Sequence, residues 1–153
     1  MWDKLHDQVQ IELEQLNLLL RTHEGLLSKC ARATPDTTEA LALAALLHSF
    51  YNGIENIFKR ITVEIDKAPP AGEFWHQQVL DAMTKVTDDR KAVISLALRN
   101  RLKEYLQFRH VFRHAYAFQL QWERMSPLAL GCRETLRQVE SEIAAFLRTS
   151  SGP

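Results

Sequence analysis

A chain of 153 residues with 46% hydrophobic and 25% charged side chains, five glycines and five prolines is too apolar for disorder and large enough to bury one core without disulfides or metals. Its 19 basic and 19 acidic residues cancel, so bulk electrostatics do not drive it onto nucleic acid. Cys30 and Cys132 are too isolated for a disulfide framework, and Asp3, Lys4 and Asp7 interrupt the segment where a signal peptide would be apolar, so a reducing cytoplasm is the expected location.

Apolar residues at Trp2, Leu5, Val9, Leu13, Leu16, Leu20 and Leu27 recur at steps of three and four, which predicts a first helix over about residues 2–31. Thr34-Pro35 ends it. Asp36 followed by Glu39 has the form of a capping box, opening a second helix through Leu41, Leu46, Leu47, Phe50, Ile54, Ile57, Phe58, Ile61 and Ile65. The apolar run from Ala40 to Leu47 falls far short of the roughly 20 residues needed to cross a membrane, so it reads as buried helix. Ala68-Pro69-Pro70-Ala71-Gly72 is the clearest loop.

A short helix is expected over Glu73 to Val86, with Phe74, Trp75, Val79, Leu80 and Met83 inward, followed by a turn at Thr87 to Arg90. Ser95 is placed to cap a fourth helix carrying Leu98, Leu102, Leu106, Phe108 and Phe112. Residues 119–125 have no clear pattern. Ser126-Pro127 reads as the N-cap and first residue of a last helix through Leu130, Leu136, Val139, Ile143, Phe146 and Leu147. No stretch alternates long enough for a sheet, so the expectation is an all-α, roughly up-and-down bundle of four to five helices, one domain over 1–149 with a disordered tail at 150–153.

Between Arg90 and Arg113 the basic residues Arg90, Lys91, Arg99, Arg101, Lys103, Arg109 and Arg113 face the single acid Glu104. This basic segment is either a solvated face balanced by acids elsewhere in space or a surface for RNA. Its end is the densest chemistry in the chain: Arg109-His110-Val111-Phe112-Arg113-His114-Ala115-Tyr116 holds two of the six histidines, two arginines and a tyrosine. Histidine exchanges protons near neutral pH and arginine is a permanent planar phosphate binder, a pairing suited to phosphodiester chemistry without a metal.

RNA carries its own nucleophile, the 2′-hydroxyl. Cleavage then needs a base, an acid and a cation to stabilise the phosphorane, roles that Arg109 and His114 suit. On an ideal helix five residues at about 100° each leave Arg109 and His114 roughly 140° apart, so one straight helix does not converge them. Either the helix bends or ends here, or a second subunit completes the site across a two-fold axis and supplies a second histidine as the acid. The alternative for each residue is structural, because histidines and arginines at a helix C-terminus also meet the helix dipole. His110 and His114 lack the further ligands a zinc site requires, no cofactor motif is present, and His6, His23, His48 and His76 read as surface or core residues.

The arrangement Arg109-x4-His114-x-Tyr116 resembles the R-x4-6-H motif of HEPN domains, in the R-x4-H-x-Y form of HepT-like ribonuclease toxins. The stretches Leu47 to Phe58, Pro70 to His76 and Phe108 to His110 are similar to the layout of HepT-like proteins of about this length, so the resemblance covers most of the chain. It implies a homodimeric, metal-independent endoribonuclease of a type VII toxin–antitoxin system. Arg109 and His114 would be its catalytic pair, with His110 as the polar residue after the arginine and Arg113 as a further cation. The implied partner is an MntA-type minimal nucleotidyltransferase antitoxin that transfers AMP to Tyr116. Added phosphate there opposes RNA by charge and bulk. A second expectation is a non-catalytic helical subunit that binds a nucleotidyltransferase.

Overall fold

The computed structural model describes residues 2–114, 116 and 119–150, the last of these by its backbone alone. Six helices are present among them: α1 (Trp2–Thr22), α2 (Glu24–Arg32), α3 (Thr37–Glu64), α4 (Trp75–Ala82), α5 (Leu96–His114) and α6 (Trp122–Ser150). The fold is an all-α bundle, with no strand among the described residues. Of the expected tail at 150–153, Ser150 is the last residue of α6 and residues 151–153 lie outside the described ones. No described helix is long and apolar enough to cross a membrane.

The expected first helix is divided at His23. Thr22 Oγ1 donates to the Leu18 carbonyl at 2.7 Å and His23 Nδ1 to the Leu19 carbonyl at 2.9 Å, so side chains take the last carbonyls of α1 in place of the next turn's amides. At α3 the capping box forms as read: Asp36 Oδ1 accepts from the Glu39 amide at 2.8 Å, and Glu39 Oε1 accepts from the Asp36 amide at 3.1 Å. α3 is the central helix, packed against α1, α4, α5 and α6 and burying Phe50, Tyr51, Ile54, Ile57, Phe58 and Ile61 completely. Gly53 lets α1 approach it closely, because a Cβ there would stand 2.6 Å from Leu16 Cδ2.

α4 is shorter than the pattern suggests at both ends. At its C-terminal end the amides of Met83, Thr84 and Lys85 turn back on the carbonyls of Leu80, Asp81 and Ala82 at 3.1–3.2 Å, tightening the last turn, and Arg90 adds Nη2 to Ala82 at 3.1 Å and Nη1 to Lys85, beyond the helix, at 2.8 Å. The expected turn at Thr87 to Arg90 is present, closed by the Thr87 amide on the Arg90 carbonyl at 2.9 Å. At its N-terminal end Phe74 is exposed, not inward as its place in the apolar pattern implied, because it precedes the helix.

Ser95 caps α5 as expected: its Oγ accepts the Leu98 amide at 3.1 Å, while its own amide donates to Glu142 Oε1 of α6 at 2.6 Å. The start of α6 corrects the reading of Ser126-Pro127, since Pro127 lies inside a helix that begins at Trp122. Met125 is fully buried and Trp122 packs on the core, so tertiary burial extends the helix upstream of the proline. Cys30 and Cys132 are buried free thiols, and burial pushes Cys132 up to about 11, away from the reactive thiolate.

Candidate active site

α5 carries the Arg/His cluster and runs through Arg109 to His114, so the helix does not end between them. Its inner and outer faces divide the cluster. Arg109 turns into the bundle, where its side chain keeps 11% of its accessible surface, while His110, Arg113 and His114 are exposed. The His110 and His114 rings meet edge-on with centroids 4.8 Å apart, one turn from each other on the outer face.

Arg109 is held by Glu55. Its Nη1 donates to Glu55 Oε1 at 2.9 Å, and the second carboxylate oxygen, Oε2, lies 2.8 Å from His76 Nδ1. Glu55 is 4% exposed in the apolar centre of α3, where a carboxylate stands only if paired. His76, the second residue of α4, stacks on Trp75 with ring centroids 3.6 Å apart, and Lys59 Nζ sits 5.1 Å over the Trp75 ring. Three helices therefore meet at one carboxylate.

A groove of about 470 Å³ opens between α4 and α5 at this point. Phe74, His76 and Gln77 form one wall, and Arg109, His110 and Arg113 line the other. His114 does not line it, so within one chain Arg109 and His114 are not brought to the same wall.

Two further groups sense the buried charges. The ring of His48 packs 5.6 Å from Phe112, and its Nδ1 is buried with no partner among the described residues. Burial first, then the cations Arg109 and Arg113, hold its pKa below the ordinary histidine value. Tyr51, one turn before Glu55, is driven up by burial and then by the Glu55 charge, so its phenol stays protonated.

Tyr116 is 70% exposed. Gln119 Oε1 accepts the Tyr116 amide at 2.8 Å, and the Gln119 amide donates to the Tyr116 carbonyl at 2.9 Å.

The basic segment is answered in space at three of its seven cations. Arg90 pairs with Asp66 at 2.7 Å, Arg99 with Asp81 at 2.6 Å and Arg109 with Glu55, all acids from outside the segment. At Asp81, burial works to raise the carboxyl, but the hydrogen bonds from Arg99 and Gln77 outweigh it and hold the pKa below the usual range. Lys91, Arg101, Lys103 and Arg113 keep no ion pair among the described residues. No group of three or more His, Cys, Asp or Glu among these residues is arranged to hold a metal.

Sequence reasoning missed Glu55 and placed His76 apart from the cluster, whereas His76 Nδ1 lies 3.4 Å from Arg109 Nη1. The signal for Glu55 was present as a lone acid within Gly53-Ile54-Glu55-Asn56-Ile57-Phe58, a charged residue on an apolar stripe. Nothing local pointed to His76.

An all-helical bundle with R-x4-H at the end of one helix defines a HEPN-type protein. The family model described as HepT-like protein matches residues 42–150, from α3 to the end of α6 and including every residue of the groove, and the chain belongs to this family. No curated protein matches the chain, and no solved structure does.

Proposed function

We propose that this protein is a metal-independent endoribonuclease, the toxin of a toxin–antitoxin pair, acting in the cytoplasm as a homodimer of one-domain chains. The observation that carries the reading is the end of α5, where a buried, carboxylate-held arginine stands beside a groove whose rim bears His110 and Arg113, with His114 one turn from His110. The 2′-hydroxyl of RNA attacks the adjacent phosphorus, Arg109 stabilises the charge gathering on the phosphorane, and His114 serves in proton transfer. Arg109 hydrogen-bonds Glu55 through Nη1 alone among the described residues, so Nε and Nη2 remain for phosphate oxygens. His110 and Arg113 hold flanking phosphates. Because His114 does not line the groove of its own chain, a two-fold partner supplies it across the interface.

The toxin is silenced by a cognate nucleotidyltransferase of the MntA type. The Tyr116 hydroxyl attacks the α-phosphorus of ATP, the Tyr–O–AMP bond forms and pyrophosphate leaves. The exposure of Tyr116 supports this, since a modifying enzyme must reach the phenol. The ion pair of Arg109 favours a second reading, in which the cation is structural and the bundle is a non-catalytic binding subunit for the nucleotidyltransferase. Cleavage of RNA by purified wild type, against His114→Ala, separates the two. A fall of about 10²-fold or more in the variant supports catalysis. No activity in the wild type leaves the binding subunit, and equal activity in both proteins takes His114 out of the chemistry.

A further inference from the structure

We propose that His76 is the general base of this site and that Glu55 is its positioning residue, so that one of the two proton-transfer groups comes from α4 of the same chain as Arg109. The inference rests on the ribonuclease reading above and adds to it a catalytic residue outside the Arg/His cluster.

The division of Glu55 between its two partners carries the argument. A buried carboxylate needing only neutralisation by arginine takes it in the two-pronged form, as Asp66 does with Arg90 Nε and Nη2 at 2.7 and 2.8 Å. Glu55 instead gives Arg109 one oxygen at 2.9 Å and keeps the other for His76 at 2.8 Å. A carboxylate paired with arginine can only accept, so Nδ1 of His76 carries the proton. With Nδ1 as the donor, the neutral form of the ring presents its lone pair at Nε2. The 3.4 Å approach of Arg109 Nη1 to Nδ1 is a contact between two donors, not a hydrogen bond.

The ring is also fixed in orientation. Trp75 stacks on it, and Lys59 sits over Trp75 in turn. With 25% of its side-chain surface open, His76 lines the groove opposite Arg109, and no described residue bonds its Nε2. A purely structural histidine needs neither a buried carboxylate on one nitrogen nor an open edge on the other.

In the reaction, Nε2 of His76 takes the 2′-hydroxyl proton as the O2′–P bond forms. The P–O5′ bond breaks, and the leaving 5′-oxygen receives its proton from His114. The products are a 2′,3′-cyclic phosphate and a 5′-hydroxyl, with no oxidant or co-reactant. The imidazolium formed on His76 is met by the Glu55 charge, which is where the positioning residue acts.

The test compares full-length wild type, His76→Asn, His114→Ala and Glu55→Gln on a dinucleotide and on uridine 3′-(4-nitrophenyl phosphate), whose leaving group requires no acid. The asparagine amide still donates to Glu55, so His76→Asn is expected to melt like the wild type. It is expected to lose about 10²- to 10⁴-fold in kcat on both substrates, whereas His114→Ala recovers on the aryl ester. Counted per folded molecule by circular dichroism, since unfolded protein alone would also lower apparent kcat at constant KM, Glu55→Gln lowers kcat on both by about 10-fold or more with KM unchanged. His76→Gln is the second variant should the asparagine protein not fold, under the same expectation. A His76 variant that keeps activity within about threefold of wild type overturns the proposal, as does one that recovers on the aryl ester. Wild type inert on both substrates removes the ribonuclease reading itself and this inference with it, whereas an active His76→Asn in an active background removes this inference alone.

Discussion

Arg90 and Arg109 are the two buried arginines among the described residues, each paired with a carboxylate from an element far along the chain, and they are used in opposite ways. Arg90 is closed. Both prongs go to Asp66, the remaining donors reach the carbonyls of Ala82, Lys85 and Lys91, and none of its side chain is exposed. Arg109 is open: one nitrogen meets Glu55, and the side chain keeps an edge on the groove. A guanidinium with every donor satisfied locks a loop, while one with donors to spare keeps them for a ligand.

The largest effect should come from breaking the closed site. Arg90→Ala leaves Asp66 without its cation and removes the donors on the Lys85 and Lys91 carbonyls, so unfolding free energy should fall by about 3–5 kcal/mol. Denaturant titration at neutral pH reads this directly. A loss below about 1 kcal/mol would mean that the loop is held by other contacts.

The open site should respond in activity instead. Arg109→Lys keeps a charge for Glu55 but loses the planar fork, so RNA cleavage should drop by about 10²- to 10³-fold while the melting temperature stays near that of the wild type. If cleavage survives and the fold does not, Arg109 belongs in the same class as Arg90.

The smallest effect concerns charge felt at a distance. His48 has its pKa lowered by burial and by Arg109 and Arg113, so below its ordinary value of 6.5 the unfolded chain binds a proton that the folded chain refuses. Stability should therefore fall as pH drops through that value. His48→Gln should flatten the slope, measured as urea midpoints at about pH 7.5 and pH 5. Parallel slopes for the two proteins would show that His48 does not feel the open arginine.

Much of the bundle was legible because its signals are local. The capping box at Asp36 and Glu39, the Ser95 cap and the turn at Thr87 to Arg90 all depend on residues within a few positions of each other. The break at His23 was less so, since the apolar stripe continues to Leu27 across it. Pro127 misled for a related reason: proline favours the first turn of a helix, yet burial of Met125 and packing of Trp122 outweigh that preference and start α6 earlier. Phe74 fits the apolar pattern of α4 but precedes its first residue, and the helix face that would have buried it does not reach that far.

By itself the sequence determined the helical class, most of the caps and the clustering of Arg109, His110, Arg113, His114 and Tyr116, because these follow from periodicity and spacing along one chain segment. It also placed Arg109 and His114 on different faces of their helix. Only the tertiary structure decided which side chain stands opposite each of those faces. Glu55 lies 54 residues from Arg109 and His76 lies 33, and a helical period states which face is buried without naming its neighbour on another helix. The meeting of an acid, an imidazole and a guanidinium is therefore a property of how α3, α4 and α5 pack.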